Sequence, residues 1–366
     1  MKAVILSGGS GQRLAPLTNT TTKQLLPVAN RPTLFHILDL IKEETPVKLV
    51  CIVVSEEYGH KVREELINSE HSKYFQFDFV FQDKPLGLAH AVQLTSMHMN
   101  DAPFLMFLGD ILINKGELKK AHEQFIKNKP ESLVLLKEIE DPRAYGIAEI
   151  SNGKVLKLVE KPQEPKSNLC LSGIYFFRPS IFYAIANIKP SYRNELEITD
   201  AVDFLIQQDR PVEYYLIKSW WYDIGTPENM LKGNQALLNG ISNCIDSKMN
   251  DSVKIKGKII IEEGVIIEDS EITGPVIIAR GSMVKHCKIG PYVSIGNSVY
   301  MENIKIENSI IRDQTKLINL PPSITDSVLG KNVEVRFARM NPEELNGIRK
   351  LKIKYVIGDD TKCTSL

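Results

Sequence analysis

Several things are missing from this sequence, and each absence closes off a class of function. Neither sign of charge is in excess, because 45 Lys and Arg balance 45 Asp and Glu. A nucleic-acid or anionic membrane surface leaves a basic surplus or a basic run, so the expected partners are small molecules and other subunits. The five cysteines, Cys51, Cys170, Cys244, Cys287 and Cys363, contain no C-x-x-C pair. Odd in number and scattered, they fit neither a disulfide framework nor a zinc site, and they read as reduced thiols of a cytoplasmic protein. No apolar run approaches the roughly 18 residues of a membrane span, and the apolar stretch in MKAVILSGG is too short for a signal peptide.

What is present sorts into two textures. A chain of 366 residues suggests two domains, each burying its own core. Over 1–239, short β-rich runs alternate with helical periodicity. Ala3–Leu6 reads as a strand, Leu34, Ile37, Leu38 and Ile41 share one face of a helix, and strands follow at Leu49–Val54, Phe77–Phe81, Phe104–Leu108 and Val212–Ile217. Nearly continuous apolar strands between amphipathic helices predict an α/β domain of Rossmann-like type with a mostly parallel mixed sheet. Ligands of such sheets lie beyond the carboxyl ends of the strands, where GGSGQR, Gly109-Asp110 and WYDIGT are expected to converge.

Over 240–366 the helical period gives way to a step of six. One apolar column runs through Val253, Ile259, Val265, Ile277, Met283, Ile289, Ile295 and Met301, with Glu271 as its one break. A neighbouring column holds Ile260, Ile266, Ile272, Ile278 and Val284. Together with glycines at Gly264, Gly274, Gly281, Gly290 and Gly296, this predicts a left-handed parallel β-helix. A β-sandwich would alternate by two with no fixed step of six. The stretch NPEELNGIRKLKIKYVIGDD breaks the step and is expected to cap the open end of the solenoid.

Gly8-Gly9-Ser10-Gly11 follows the first strand and offers backbone N–H groups unobstructed by Cβ atoms, an arrangement suited to an anion. It is not a P-loop, since no Gly-Lys-Ser/Thr follows, and it lacks the third glycine of the dinucleotide fingerprint. A tight turn would account for it alone. Arg13 and Lys23 add two cations suited to phosphate, the first as a bidentate fork and the second as a point charge. A triphosphate brought up to a sugar phosphate requires such neutralisation before attack, and positioning with electrostatics supplies most of that catalysis.

With these residues in view, GGSGQRLAPLTNTTTKQLLPVANRP resembles the opening motif of the sugar-phosphate nucleotidylyltransferases. KQLLP, with Lys23-Gln24, is most similar to the glucose-1-phosphate thymidylyltransferase branch, and Gln12 departs from the usual Thr or Ser. The resemblance implies nucleotide contacts from Leu6, Gly8, Gly9, Gly11, Arg13, Lys23, Gln24, Gln82, Gly87 and Asp110. FQDKPLGLAHA resembles the family's base-reading motif, in which Gln82 meets the pyrimidine edge and Gly87 lets the base approach backbone. An amide has a donor and an acceptor, which suits the face that thymine and uracil share. FLGD and WWYDIGTPENM resemble the metal motifs and imply Mg2+ held by Asp110 and Asp223, with Ile111 where relatives carry Asn. AYGIAEI, LVEKPQEP and LCLSGIYFF imply a sugar-phosphate pocket of Leu88, Leu108, Tyr145, Gly146, Glu160, Lys161, Leu171, Tyr175 and Trp221. NELEITDAV also matches the family, although its Glu195, Glu197 and Asp200 would equally cap the helix that follows.

The resemblance covers 1–239 and implies a reaction of dTTP with α-D-glucose 1-phosphate to give dTDP-glucose and pyrophosphate. Arg13, Lys23 and Lys161 would be the catalytic cations, and no side-chain nucleophile is needed. UTP, or another hexose 1-phosphate, is the alternative substrate. Long-form relatives carry a β-helix after the transferase domain, so the second half is expected to hold a homo-oligomer, a trimer or larger. A second reading makes that half an acyltransferase with His286, its one histidine, as base. A third, a non-catalytic regulatory subunit, is opposed by the retained Arg13, Lys23, Asp110, Lys161 and Asp223.

Overall fold

The computed structural model describes residues 1–9, 11–99, 101–247, 251–338 and 351–364. The chain forms two compact units, Met1–Gly9 with Leu34–Trp221 and Ser10–Thr33 with Tyr222–Leu366. This differs from a division at 239/240, because 10–33 and 222–239 cluster with the solenoid.

Among the described residues, the first unit holds a nine-stranded sheet. Its strands are β1 (Lys2–Ser7), β2 (Leu49–Ser55), β3 (Gln76–Gln82), β4 (Phe104–Leu108), β5 (Ser132–Glu138), β6 (Ile147–Ser151), β7 (Lys154–Val159), β8 (Leu169–Phe177) and β9 (Val212–Leu216). The order is β7-β6-β8-β4-β1-β2-β3, with β5 on β8 and β9 on β5. Neighbours β3, β2, β1 and β4 are parallel and β8 runs antiparallel to β4, so the sheet is mixed as expected. Branched and aromatic side chains favour the pleated strand, and helices on the sheet faces hide successive residues of β1 and β2 alike. Helix α1 (Thr33–Glu44) buries Leu34, Ile37, Leu38 and Ile41, the stripe read from its period. Because Ser7 pairs with Val54, Ser55 with Gln82 and Leu6 with Leu108, the strand ends before Gly8, at Gln82 and before Asp110 share one edge.

The second unit is a three-sided parallel β-helix, consistent with the left-handed coil expected. Its sides are sheets of seven, six and six strands among the described residues. Ile261, Ile278, Ile295, Ile311 and Leu329 stack in register inside it, each fully buried. Their steps are 17, 17, 16 and 18 residues, not a uniform 18. A column drawn by sixes therefore slips a place wherever a coil is short. Ile272, Ile278 and Val284 point inward, whereas Ile266 in the same column is 45% exposed. The corners are turned largely by residues with positive φ, among them Asp269, His286, Asn303 and Asn319. The tail corrects another expectation. Lys352–Ile353, Val356–Ile357 and Lys362–Thr364 pair with all three sheets, so they add a coil instead of capping one. The part of that stretch from 341 to 350 lies outside the described residues.

One outer side of the solenoid is covered. Helix α2 (Pro227–Asn239) is started by the Thr226 hydroxyl, which accepts from Asn229 N, with Pro227 in the first turn. Its buried Asn234 accepts at Oδ1 from the Ser294 hydroxyl at 2.6 Å and from Ala29 N at 2.9 Å. Beside it the outward-pointing Ile310 and Val328 are buried, although a free solenoid face would leave them in water.

Candidate active site

At the sheet edge of the first unit, the Gln82 amide is held in one orientation. Its Nε2 donates to His90 Nδ1 at 3.0 Å and to Gly87 O at 3.4 Å. Oε1 lies 3.7 Å from the place a Gly8 side chain would occupy, so the acceptor end faces the glycine loop. An acceptor there suits a base that presents an N–H. His90 was not singled out by the sequence, though its place in GLAHA puts it one turn inside the helix that Gly87 starts. Gly87 has a structural reason of its own. Its φ is +105° and a Cβ would stand 2.4 Å from Leu196 O. Leu6 and Asp110 are buried at this edge, Gly9 is exposed, and Ile111 packs into the interior.

A second cluster in the same unit is built around Glu160. Its Oε2 accepts from the Thr199 hydroxyl at 2.5 Å, while Oε1 lies 3.5 Å from Lys161 Nζ and 3.7 Å from Arg193 Nη1. Lys161 adopts φ +40°, an uncommon conformation for a side chain of this type, and its N–H donates to Tyr145 O at 3.2 Å. Gly146 is required by close approach, since a Cβ would come within 2.9 Å of Leu171, Glu160 and Thr199. The Tyr145 ring meets Trp221 edge-on at 5.6 Å, and Trp221 Nε1 donates to Ser172 O at 3.0 Å. Tyr175 and Leu171 are buried, with Tyr175 stacked on Phe177, and Leu88 and Leu108 are half-buried. Burial and then the Glu160 charge hold the Tyr175 hydroxyl above its usual range.

Arg193 was also missed, because its number carries no motif apart from its neighbours. It binds Glu195 Oε1 at 3.0 Å and Glu197 Oε1 at 3.3 Å. The Glu197 side chain, which also accepts from the Ser191 hydroxyl, makes no cap to the following helix, contrary to that expectation. Burial, then Glu160, raises the Glu197 and Asp200 carboxyls. The arrangement offers one carboxylate for sugar hydroxyls and two cations for a phosphate.

In the second unit the loop after Gly11, which has φ +66°, turns through a single 3-10 turn at Gln12–Leu14. Arg13 is 64% exposed on its side chain, with Nη2 3.9 Å from Asp223 Oδ2. Gly225 makes this possible, because a Cβ there would lie 2.7 Å from Arg13 Nη2. Asn229 Nδ2 donates to Asp223 O at 2.9 Å and ties the aspartate's backbone to the start of α2. Lys23 opens the short turn Lys23–Leu25. The Gln24 side chain is buried and accepts from the Thr22 hydroxyl, so its amide serves the loop's interior.

On the solenoid, His286 Nδ1 stands 3.6 Å from Asp269 Oδ2, both exposed at successive corners. Its positive φ, shared with Asp269 and Asn303 along the same edge, accounts for the residue as a turn former.

A family model described as "Nucleotidyl transferase" matches residues 2–240. A glucose-1-phosphate thymidylyltransferase of Streptomyces griseus is 35% identical over 342 residues, 92% of this chain and 94% of that protein. The low-salt glycan biosynthesis nucleotidyltransferase Agl11 of Haloferax volcanii is 38% identical over 341 residues, again 92% of this chain and 94% of that one. Among solved structures, a Bacillus anthracis chain in complex with sucrose superposes with TM-score 0.60 at 32% identity, covering 67% of this chain and 97% of that one.

Proposed function

The chain belongs to the nucleotidyl transferase family, and from that premise we propose that it is a glucose-1-phosphate thymidylyltransferase. The sugar phosphate oxygen attacks the α-phosphorus of dTTP, the bond to the pyrophosphate breaks, and dTDP-glucose forms. The observation that carries this reading is the Glu160 cluster, a hydroxyl-reading carboxylate between Lys161 and Arg193. Lys161 and Arg193 hold the attacking phosphate and Glu160 the hexose. Tyr145, Gly146, Leu171 and Trp221 shape the wall around them. Gln82 accepts from the base N–H, and Arg13 and Lys23 bind the triphosphate.

Asp110 and Asp223 are the proposed ligands of Mg2+. Two carboxylates are hard oxygen donors of the kind that cation takes alongside phosphate oxygens and water. When bound, magnesium supplies charge neutralisation at the phosphates. In the protein's own share of the work, Arg13 is kept beside Asp223 by the room at Gly225. We further propose a cytoplasmic homo-oligomer assembled through the solenoid. Among the described residues no helix is long and apolar enough to cross a membrane.

The test is pyrophosphate release over a matrix of nucleoside triphosphates and sugar 1-phosphates. dTTP with glucose 1-phosphate is expected to give the highest kcat/KM. UTP is the nearest competitor, because one methyl is worth only about 1–3 kcal/mol of discrimination. A different best pair would replace the reading.

A further inference from the structure

The segment that carries Arg13 and Lys23 lies against the solenoid at two places. At the first, between the two cations, the Thr20 hydroxyl donates to Asp359 Oδ2 at 2.6 Å. Asp359 is itself fixed, since its Oδ1 accepts from Arg312 Nη1 at 2.6 Å and from Lys331 N at 2.8 Å. Only 8% of the Asp359 side chain and 11% of the Arg312 side chain are exposed, so the pair forms a stiff, largely dry platform. Next to it Gly358 packs so tightly that a Cβ would stand 2.9 Å from Pro16 O. At the second, beyond Lys23, the Asn30 amide donates to Ile295 O at 2.7 Å, a bond to an inner coil.

These contacts join residues hundreds of positions apart; Pro16 and Thr20 lie between the two cations in sequence, and Asn30 follows Lys23. We propose that the β-helix is a positioning element for the triphosphate, with Asp359 and Arg312 holding Thr20 so that the Arg13–Lys23 loop keeps its shape. This rests on the activity proposed above and adds a role for the solenoid in that reaction. Asp359 and Arg312 are positioning residues and touch no substrate. Loop order of this kind is bought once, on folding, so that less is lost when the phosphates bind. A loop with its anchor cut samples more states and binds the triphosphate more weakly, while the Glu160 cluster, which belongs to the other unit, has no reason to change.

The test uses the full chain with Thr20→Val, which removes the donated bond and keeps the shape, and Thr20→Ser, which restores it. Amide exchange is followed by mass spectrometry in peptides covering 11–23. In Thr20→Val that exchange is expected to speed up about fivefold, with dTTP KM rising about 3- to 10-fold, the range one hydrogen bond supports. The KM for glucose 1-phosphate is expected to stay within about twofold, and Thr20→Ser to return both readings to wild type. Unchanged exchange in Thr20→Val, or equal rises in both KM values, overturns the proposal. A wild-type chain that turns over no substrate pair would overturn the activity reading, and the exchange experiment would still decide whether the solenoid orders the loop.

Discussion

At the scale of single residues, Lys161 and His90 separate two kinds of contribution. Lys161→Ala removes a charged hydrogen-bond donor worth about 1.5–3 kcal/mol, so the KM for glucose 1-phosphate should rise roughly 10- to 100-fold while dTTP binding holds. Steady-state kinetics with each substrate varied in turn checks this, and equal effects on both would refute the assignment. Asp223→Ala is expected to abolish metal-dependent pyrophosphate release. His90 acts through Gln82. With His90→Leu the amide loses its 3.0 Å partner and is free to turn its donor toward the base. The ratio of kcat/KM for dTTP over dCTP should then fall, with His90→Gln retaining part of it. Gln82 itself was legible from its spacing to Gly87. His90 was not, because a helical histidine becomes informative only when its ring nitrogen is seen facing the amide.

At the scale of elements, the helix and the solenoid coil make different demands. Helix Ile198–Gln207 begins beside raised carboxyls, Glu197 and Asp200. A raised folded-state pKa means the protonated form is favoured on folding, so this stabilisation is full below the ordinary glutamate range. It is lost as pH rises through the raised value. Glu197→Gln should therefore gain stability over the wild type as pH increases from 5 to 8, and thermal melts across that range would show a constant gap if the idea is wrong. In the solenoid, Ile295→Ala opens a cavity in a column with neighbours above and below, for an expected loss of about 2–5 kcal/mol in denaturant melts. Gly290 is more constrained still. At φ +98°, with a Cβ that would sit 1.8 Å from Thr273 O, its change to Ala should cost on the order of 2 kcal/mol or more.

At the scale of the whole molecule, the proposed assembly gives the clearest measurement. Light scattering on the eluted protein should report at least three copies of the 41.3 kDa chain, and a monomer would remove the solenoid from the list of assembly surfaces. The balanced charge agrees with such an assembly in having no large single-sign field to oppose contact. The division into compact units is a whole-molecule property too. Residues 10–33 sit early in the chain yet cluster with its last coils.

The sequence by itself determined the strands β1 to β4 and β9, the stripe of α1, the coil texture after Gly240 and the chemical types arrayed at the proposed site. These follow from periodicity and from short motifs, which are local signals carried by neighbouring residues. Only the tertiary structure decided that coils run 16–18 residues, that Gln24 turns inward, that Glu197 serves Arg193 and makes no cap, and that Thr20 meets Asp359. The last pair is 339 positions apart. No local pattern encodes such a partner, because it exists only once separate segments have packed and their polar groups must find each other out of water.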